Sequence, residues 1–237
     1  MSHYDRDAPA PGFSANGATA IDVGLRAFML RVYNYMAAGV GLTGVAAFLT
    51  YQFTGPELLQ SPLMWVLMLA PLGLVFFISA RINTLSVEAA QGLFFLYAAL
   101  VGISLSTIFH IYTESSNTRV FFISAAAFGA LSIWGYTTQR NLSGFGTFLF
   151  MGLVGIIIAS LVNLFLRSSG LDWMISIIGV GVFAGLTAYD TQRIRGMYDR
   201  SDDATSAGRK AVMGALSLYL NFINLFMMVL RLTGGRR

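Results

Sequence analysis

The chain has 237 residues, and only 11% of them are charged, against about 25% in a typical soluble domain. Hydrophobic residues make up 56% of the sequence. This balance excludes a soluble domain, which needs charge to cover its surface, and a disordered chain, which needs polarity to stay solvated. Because there is no cysteine, disulfides and thiolate metal sites are excluded, and the dispersed net charge of +4 gives no support for nucleic-acid binding.

Seven stretches of the chain contain no charged residue, and each is close to the ~20 residues that cross a bilayer as a helix. They cover residues 32–56, 58–80, 89–113, 120–139, 141–166, 173–189 and 211–230. We therefore predict an all-α polytopic membrane protein that folds as a seven-transmembrane-helix bundle. The predicted spans are residues 32–53, 62–80, 89–112, 120–138, 145–166, 173–190 and 211–231.

The N-terminal segment is polar, contains Pro and Gly, and lacks the basic start and apolar core of a cleavable signal peptide. We predict a flexible cytoplasmic tail over residues 1–20 and a transmembrane domain over residues 21–237. A short interfacial helix is predicted before the first span, because apolar residues recur there at helical spacing. These residues are Ile21, Leu25, Phe28 and Val32.

The distribution of basic residues predicts a cytoplasmic N-terminus, because cytoplasmic loops carry an excess of Lys and Arg. With seven spans, ten of the 15 basic residues then lie inside and five lie outside. The C-terminal arginines Arg231, Arg236 and Arg237 oppose this bias, and a last segment that re-enters the membrane would place them inside. We predict seven true spans, since 20 uncharged residues are enough to cross.

Small residues inside the spans predict close contact between helices, because lipid gives helices no hydrophobic reason to associate. The chain has 25 glycines. Gly181 and Gly185 form a G-x-x-x-G pattern on the sixth span. Further glycines lie on the first and fifth spans: Gly39, Gly41, Gly44, Gly152 and Gly155.

Two polar features lie within the last two spans. Asp190 ends the apolar run of the sixth span, and the seventh carries small and polar residues every three or four positions. These are Gly214, Ser217, Asn221, Asn224, Met228 and Arg231. Polar groups at membrane depth face protein or water, so we predict that the seventh helix is central. The residues alone leave two interpretations open. In the first, the two features form a functional site. In the second, Asp190 caps the inner loop and pairs with Arg193 or Arg195, and the polar stripe only makes hydrogen bonds between helices.

The same two segments carry a resemblance to a known family. Ala188-Tyr-Asp-Thr-Gln-Arg-Ile194 and Ser217-Leu-Tyr-Leu-Asn-Phe-Ile-Asn-Leu-Phe226 resemble the Bax inhibitor-1 family, and the resemblance covers residues 25–232. It implies a seven-helix bundle with the last helix in the middle, located in the bacterial plasma (inner) membrane. It also implies a pH-sensitive calcium leak, closed from the cytoplasmic side by a hydrogen-bonded pair of aspartates on the sixth and seventh helices.

The resemblance assigns expected roles to individual residues. Asp190 matches the first aspartate of the pair, and Asn221 stands where the family has the second. Arg81 is the candidate for an arginine near the end of the second helix that contributes to closure. Counted along the helices, Asn221 lies deeper than Asp190, which makes Ser217 the nearer partner. The expected gate and ion-contact residues are therefore Asp190, Asn221, Ser217 and Arg81.

The replacement of an acid by Asn221 changes the expected chemistry. Two close carboxylates share a proton and titrate as a coupled pair, whereas a carboxylate beside a carboxamide lacks that like-charge repulsion. One carboxylate with amide and hydroxyl oxygens is also a poorer calcium site than two. We expect no firm metal site and at most a transient calcium contact at Asp190.

The leading functional prediction is a pH-sensitive calcium or cation leak, or an ion-homeostasis protein. The alternative, also implied by the resemblance, is a non-transporting modulator of a membrane-anchored quality-control protease, which would bind through the tail and the Thr191–Lys210 loop. We expect no enzyme, because an intramembrane aspartyl protease needs a second aspartate to share the proton. The expected partners are the lipid bilayer, calcium or another cation, and such a protease. No cofactor is expected.

Overall fold

The computed structural model describes residues 16–54 and 62–235, and these residues are helical almost throughout. There is no β-strand in these two ranges, so the all-α prediction is confirmed for them. A single turn of helix, Ile108–Ile111, follows the third long helix. The seven long helices are α1 (Asn16–Phe53), α2 (Pro62–Arg81), α3 (Val87–Leu105), α4 (Glu114–Thr137), α5 (Ser143–Leu166), α6 (Ser169–Gly196) and α7 (Ala204–Thr233).

Six helical segments are long and apolar enough to cross a membrane, which makes the chain a multi-pass helical membrane protein. They are Val23–Phe53, Val87–Ile111, Glu114–Thr137, Ser143–Leu166, Ser169–Gly196 and Ala204–Thr233. The apolar segment described in α2, Val66–Arg81, is shorter than these six. The crossing of α2 stays a prediction.

The N-terminal boundaries differ from those predicted. Residues 1–15 of the predicted tail lie outside the described residues, and α1 already begins at Asn16. α1 then continues without a break through the segment predicted as an interfacial helix. Phe28 and Val32 are buried in the bundle core, so this segment is the first part of α1 rather than a helix lying in the membrane surface.

The other helices extend past the uncharged stretches, because helix ends tolerate charge. Glu88, Glu114 and Asp172 lie in first turns, where an acid complements the positive end of the helix dipole. The continuous helix α3 ends at Leu105, although the apolar segment Val87–Ile111 runs on through the single turn that follows it. Ser106 and Thr107 donate hydroxyl hydrogen bonds to carbonyls of the preceding turn, which competes with continued helix at this point.

Helix α7 lies at the centre of the bundle and contacts α1, α3, α4 and α6. Fourteen of its residues are buried, whereas α5 has only three. α2 packs on α3 and α5 packs on α6, both at the periphery. The prediction of a central seventh helix is confirmed, and its physical reason is the cost of exposing a polar stripe to lipid.

Tyr219 fixes α7 to two neighbours. Its hydroxyl is hydrogen-bonded to Thr43 Oγ1 of α1 at 2.6 Å, and Thr43 also donates to the Ala98 carbonyl of α3 at 2.9 Å. The Tyr219 ring meets Phe94 and Tyr97 of α3 edge-on, with centroids 5.7 Å apart in each pair. α1, α3 and α7 therefore meet at one fully buried point.

The glycines fall into two groups. At close helix contacts an added Cβ would clash; at Gly185 it would lie 2.7 Å from Leu149 Cδ2. Contact is also close at Gly39 and Gly152. The close-contact prediction is wrong for four other glycines, because an added Cβ would meet nothing within 4 Å: Gly41, Gly44, Gly155 and Gly181.

The two ends of α7 lie on opposite faces of the bundle. Near its start, Arg209 Nε donates to the Leu85 carbonyl of the α2–α3 turn at 2.7 Å. Near its end, the Gly235 amide donates to Ser116 Oγ of α4 at 2.9 Å. We call these the loop face, which carries residues 197–203, and the tail face, which carries Gly235. An unbroken helix of 30 residues is about 45 Å long, so α7 is not a re-entrant segment.

The positions of the two faces predict from which side of the membrane an introduced cysteine can be labelled. Ser201 is exposed on the loop face and Ser115 on the tail face, and the chain has no native cysteine. In sealed vesicles, a membrane-impermeant thiol reagent should label Ser201→Cys and Ser115→Cys from opposite sides. Labelling of both from one side would contradict the helix arrangement, and the unmodified chain serves as the unlabelled control.

Candidate functional site

Asp190 has both carboxylate oxygens occupied. Asn221 Nδ2 of α7 donates to Asp190 Oδ2 at 2.8 Å. Arg193, one turn further along α6, lies 2.8 Å from Asp190 Oδ1 through NH2. The same NH2 donates to Ser217 Oγ of α7 at 3.0 Å. These four residues form the Asp190 cluster, which joins α6 to α7.

The lengths of α6 and α7 explain why Asn221 reaches Asp190. α6 continues to Gly196, so Asp190 lies about 9 Å before its end, and α7 begins seven residues before its predicted start. The first turns of α7 therefore extend past the end of α6, and Asn221 comes level with Asp190. The expectation that Ser217 is the nearer partner is corrected: Ser217 joins the cluster only through Arg193.

The cluster does not include Arg81. Its side chain is exposed at the end of α2, and it makes no ion pair or side-chain hydrogen bond with the residues the structure describes. The sequence left Arg193 and Arg195 open as partners of Asp190. The guanidinium beside Asp190 is that of Arg193, on the same helix. Arg195, the other, donates to the Tyr136 carbonyl at 2.7 Å and lies over the Tyr136 ring.

The Asp190 cluster lines a cavity of 530 Å³ between α5, α6 and α7. We call it the loop-side cavity. Asn224 continues the polar wall on α7, and α5 contributes Gly146 and Thr147. The side chain of Asp190 is only 11% exposed, whereas that of Arg193 is 47% exposed, so the cavity is open beside the guanidinium. The α5 wall was not predicted, because nothing in the sequence of α5 marks which face meets α7.

A second cavity, which we call the tail-face cavity, lies between the tail-face ends of the same three helices. It has a volume of 340 Å³ and is lined by Asn163 of α5, Asp172 of α6 and Arg231 of α7. Arg231 NH1 lies 3.5 Å from Asp172 Oδ1. Along α7, Met228 lies between Asn224, which lines the loop-side cavity, and Arg231, which lines this one. Its buried side chain packs so closely on α6 that a Cβ on Gly179 would lie 2.8 Å from its Sδ.

The chemistry of the cluster suits a brief cation contact. Carboxylate, amide and hydroxyl oxygens are hard-cation ligands, but calcium takes six to eight oxygens in a stable site. Here one carboxylate is present, and its two oxygens are held by Arg193 and Asn221. A cation that reaches Asp190 must first displace the Arg193 guanidinium.

The bond from Asn221 should stabilise the fold, and Asn224 provides a matched control three residues away. Among the residues that the structure describes, Asn224 donates only to the Leu220 carbonyl of its own helix. Asn221→Ala leaves a buried carboxylate oxygen without its donor, and we expect it to cost about 1–3 kcal/mol of unfolding free energy. Asn224→Ala should cost much less in thermal unfolding of the detergent-solubilised protein. Equal losses for the two variants would contradict the interhelical role.

Comparison with known proteins gives matches over nearly the whole chain. A family model described as "Inhibitor of apoptosis-promoting Bax1" matches residues 25–237. Inner membrane protein YbhL of Escherichia coli (strain K12) is 47% identical over 219 residues, which cover 90% of this chain and 94% of YbhL. An uncharacterized protein of Rickettsia prowazekii is 46% identical over 218 residues, covering 91% and 92%. An uncharacterized membrane protein of Streptococcus pyogenes serotype M3 is 39% identical over 226 residues, covering 91% and 96%.

Proposed function

Because the chain belongs to the Bax inhibitor-1 family, we propose that it is a pH-sensitive calcium or cation leak of the bacterial inner membrane, closed at the Asp190 cluster. The observation that carries the proposal is a buried carboxylate lining one of two cavities on the same side of α7. Under this proposal the chain is not an enzyme and needs no cofactor. Its partners are the bilayer and the conducted cation.

Closure in this proposal results from the position of Arg193. Its guanidinium lines the loop-side cavity and is held there by Asp190 and Ser217. A fixed positive charge repels an approaching cation and also occupies the carboxylate that the cation would contact. Met228 adds an apolar block between this cavity and the tail-face cavity. Opening requires Arg193 to leave Asp190 and Met228 to move from Gly179.

The pH dependence follows from which form of Asp190 holds the cluster together. Among the residues lining the loop-side cavity, the titratable groups are Asp190, Arg193 and Tyr189. Arg193 pairs with the charge of Asp190, so this contact needs the ionised carboxylate, and the same charge strengthens the hydrogen bond that Asn221 donates. Falling pH protonates Asp190 and releases Arg193, and the leak should therefore increase toward acid.

A second aspartate at position 221 should reverse this direction. Two carboxylates at hydrogen-bond distance are held together by a shared proton, which is lost as pH rises. In Asn221→Asp the closed state therefore needs the proton, and deprotonation separates α6 from α7 by like-charge repulsion. The replacement of the family's second aspartate by Asn221 would then decide whether the leak increases or decreases as pH falls.

The orientation is part of the proposal. We infer that the loop face is cytoplasmic, because basic residues at this face would follow the positive-inside rule. They include Arg26, Arg31, Arg140, Arg195 and Arg209. One relative is named an inner membrane protein, which supports the location. The thiol-labelling experiment above would then reach Ser201→Cys from the cytoplasmic side.

The leak and its pH direction are tested together by calcium entry into liposomes that hold the purified protein. Between pH 8 and pH 6, wild type should leak faster as pH falls, and Asn221→Asp should leak faster as pH rises. Asn224→Asp, which adds the same charge three residues away, is the matched control and should keep the wild-type direction. Absence of calcium flux at every pH, for wild type and Asp190→Ala alike, would rule out the leak.

The alternative expectation, a modulator of a membrane-anchored protease, stays a prediction with less support from the geometry. Within Thr191–Lys210, the side chains of Thr191 and Ile194 are buried. Arg209 binds the α2–α3 turn, and Lys210 pairs with Asp202 at 2.7 Å. The surface left for a partner is mainly the exposed part of residues 199–205. Purification from native membranes with a stoichiometric protease, lost on removal of residues 1–20, would favour this alternative.

A further inference from the structure

A further cavity lies on another side of α7, between α1 and α4, and we call it the α1–α4 groove. Its volume is 760 Å³, and Phe222 of α7 forms part of its wall. The other walls are almost entirely apolar and include Met36 and Val40 of α1 and Phe128 of α4. The groove is separate from the loop-side cavity and has no part in the proposed leak.

Two glycines widen the groove rather than bring the helices together. Gly41 of α1 and Gly129 of α4 both line it. An added Cβ at either position would meet nothing within 4 Å. By contrast, a Cβ on Gly135, further along α4, would lie 2.8 Å from the Cα of Ala188 on α6. The two glycines of the groove therefore leave open space beside α7.

Two hydroxyls that line the groove, those of Tyr33 and Ser132, are already hydrogen-bonded. The Tyr33 hydroxyl is hydrogen-bonded to Ser132 Oγ at 2.9 Å, and Ser132 is hydrogen-bonded to Thr191 Oγ1 of α6 at 2.9 Å. Thr191 in turn donates to the Thr187 carbonyl at 2.8 Å. Because this chain of hydroxyls needs no further partner, the groove favours an apolar occupant over a polar solute.

The surroundings of the groove indicate where the occupant comes from. The side chains of Leu30 on α1 and Ile133 on α4 line the groove and are 52% and 68% exposed, so the apolar surface continues outward to where lipid lies. In a membrane protein, an apolar groove that is continuous with the lipid-facing surface is filled by acyl chains rather than water.

The loop-face end of the groove is basic. Arg26 lines the groove there and has no ion-pair partner among the residues whose side chains are described. Arg195 lies nearby, 5.4 Å from the centroid of the Tyr136 ring, and Tyr136 also lines the groove. Guanidinium groups bind phosphate through directed, charge-assisted hydrogen bonds. The basic end and the apolar body together match an anionic amphiphile.

We propose that the α1–α4 groove binds one acyl chain of an anionic phospholipid, whose phosphate is held at Arg26. The apolar walls take the chain, the open space at Gly41 and Gly129 admits it, and the guanidinium selects the headgroup. This site is independent of calcium conduction and would be present even if the chain transports nothing.

Native mass spectrometry of the purified protein, mixed with equal amounts of phosphatidylglycerol and phosphatidylcholine, tests the proposal. Wild type should retain phosphatidylglycerol in preference. Gly129→Leu and Gly41→Leu fill the groove from its two walls, and each should lose the bound lipid. Gly155→Leu is the matched control, because Gly155 also has open space around it but lies on α5, away from the groove. Arg26→Gln should weaken the preference about fivefold, the effect of one basic residue on an anionic lipid.

Three results would overturn the proposal. The first is retention of phosphatidylglycerol by the folded Gly129→Leu and Gly41→Leu variants at the level of Gly155→Leu. The second is equal retention of the two lipids by wild type. The third is a dimer of the chain that dissociates in the groove-filling variants, because the occupant would then be a second copy. Thermal unfolding of each variant establishes that it is folded before lipid is measured.

Discussion

The hydrogen bond and ion pair that hold Asp190 are the contacts on which the arrangement of α6 and α7 depends. A carboxylate on a membrane-spanning helix cannot face lipid without a large cost, so it must find partners inside the bundle. Asn221 and Arg193 supply them, and Ser217 holds Arg193 in place. Because Asn221 and Ser217 lie on α7, whereas Asp190 and Arg193 lie on α6, these contacts hold α6 against the central helix at this depth. The loop-side cavity, the exposed guanidinium and the proposed pH response all follow from that arrangement.

Helix α7 separates two environments that suit different contents. Its polar stripe lines the loop-side cavity, where the cluster supplies a charge and oxygen ligands. Phe222 instead contributes to the α1–α4 groove, where the Tyr33 and Ser132 hydroxyls are hydrogen-bonded and the walls are almost entirely apolar. The loop-side cavity suits a cation in transit, and the α1–α4 groove suits a bound lipid. One amphipathic central helix thus accounts for both features, because each of its faces determines what can lie beside it.

The sequence predicted the features that follow from the cost of charge in lipid. Uncharged stretches located the helices, and the stripe on the last span placed that helix in the centre. Helix ends were not predictable from hydropathy, because caps such as Asp203 and first-turn acids such as Glu114 stabilise helix beyond the apolar run. The placement of Arg81 and the open space at Gly41 could not be predicted, since both depend on which helix lies opposite. Asn221 was identified as a candidate partner, but its contact with Asp190 required the true start of α7.

The most direct test of closure at the Asp190 cluster is the calcium leak of Arg193→Gln in liposomes at neutral pH. Arg140→Gln is the matched control, because Arg140 is exposed on the same face and its removal changes the net charge equally. If Arg193 closes the path, its removal should raise the leak about fivefold, as expected for a partly exposed ion pair of ~1 kcal/mol, and abolish the increase toward acid. Arg140→Gln should leak like wild type. A leak from Arg193→Gln that equals wild type in rate and pH dependence would contradict closure by this cluster.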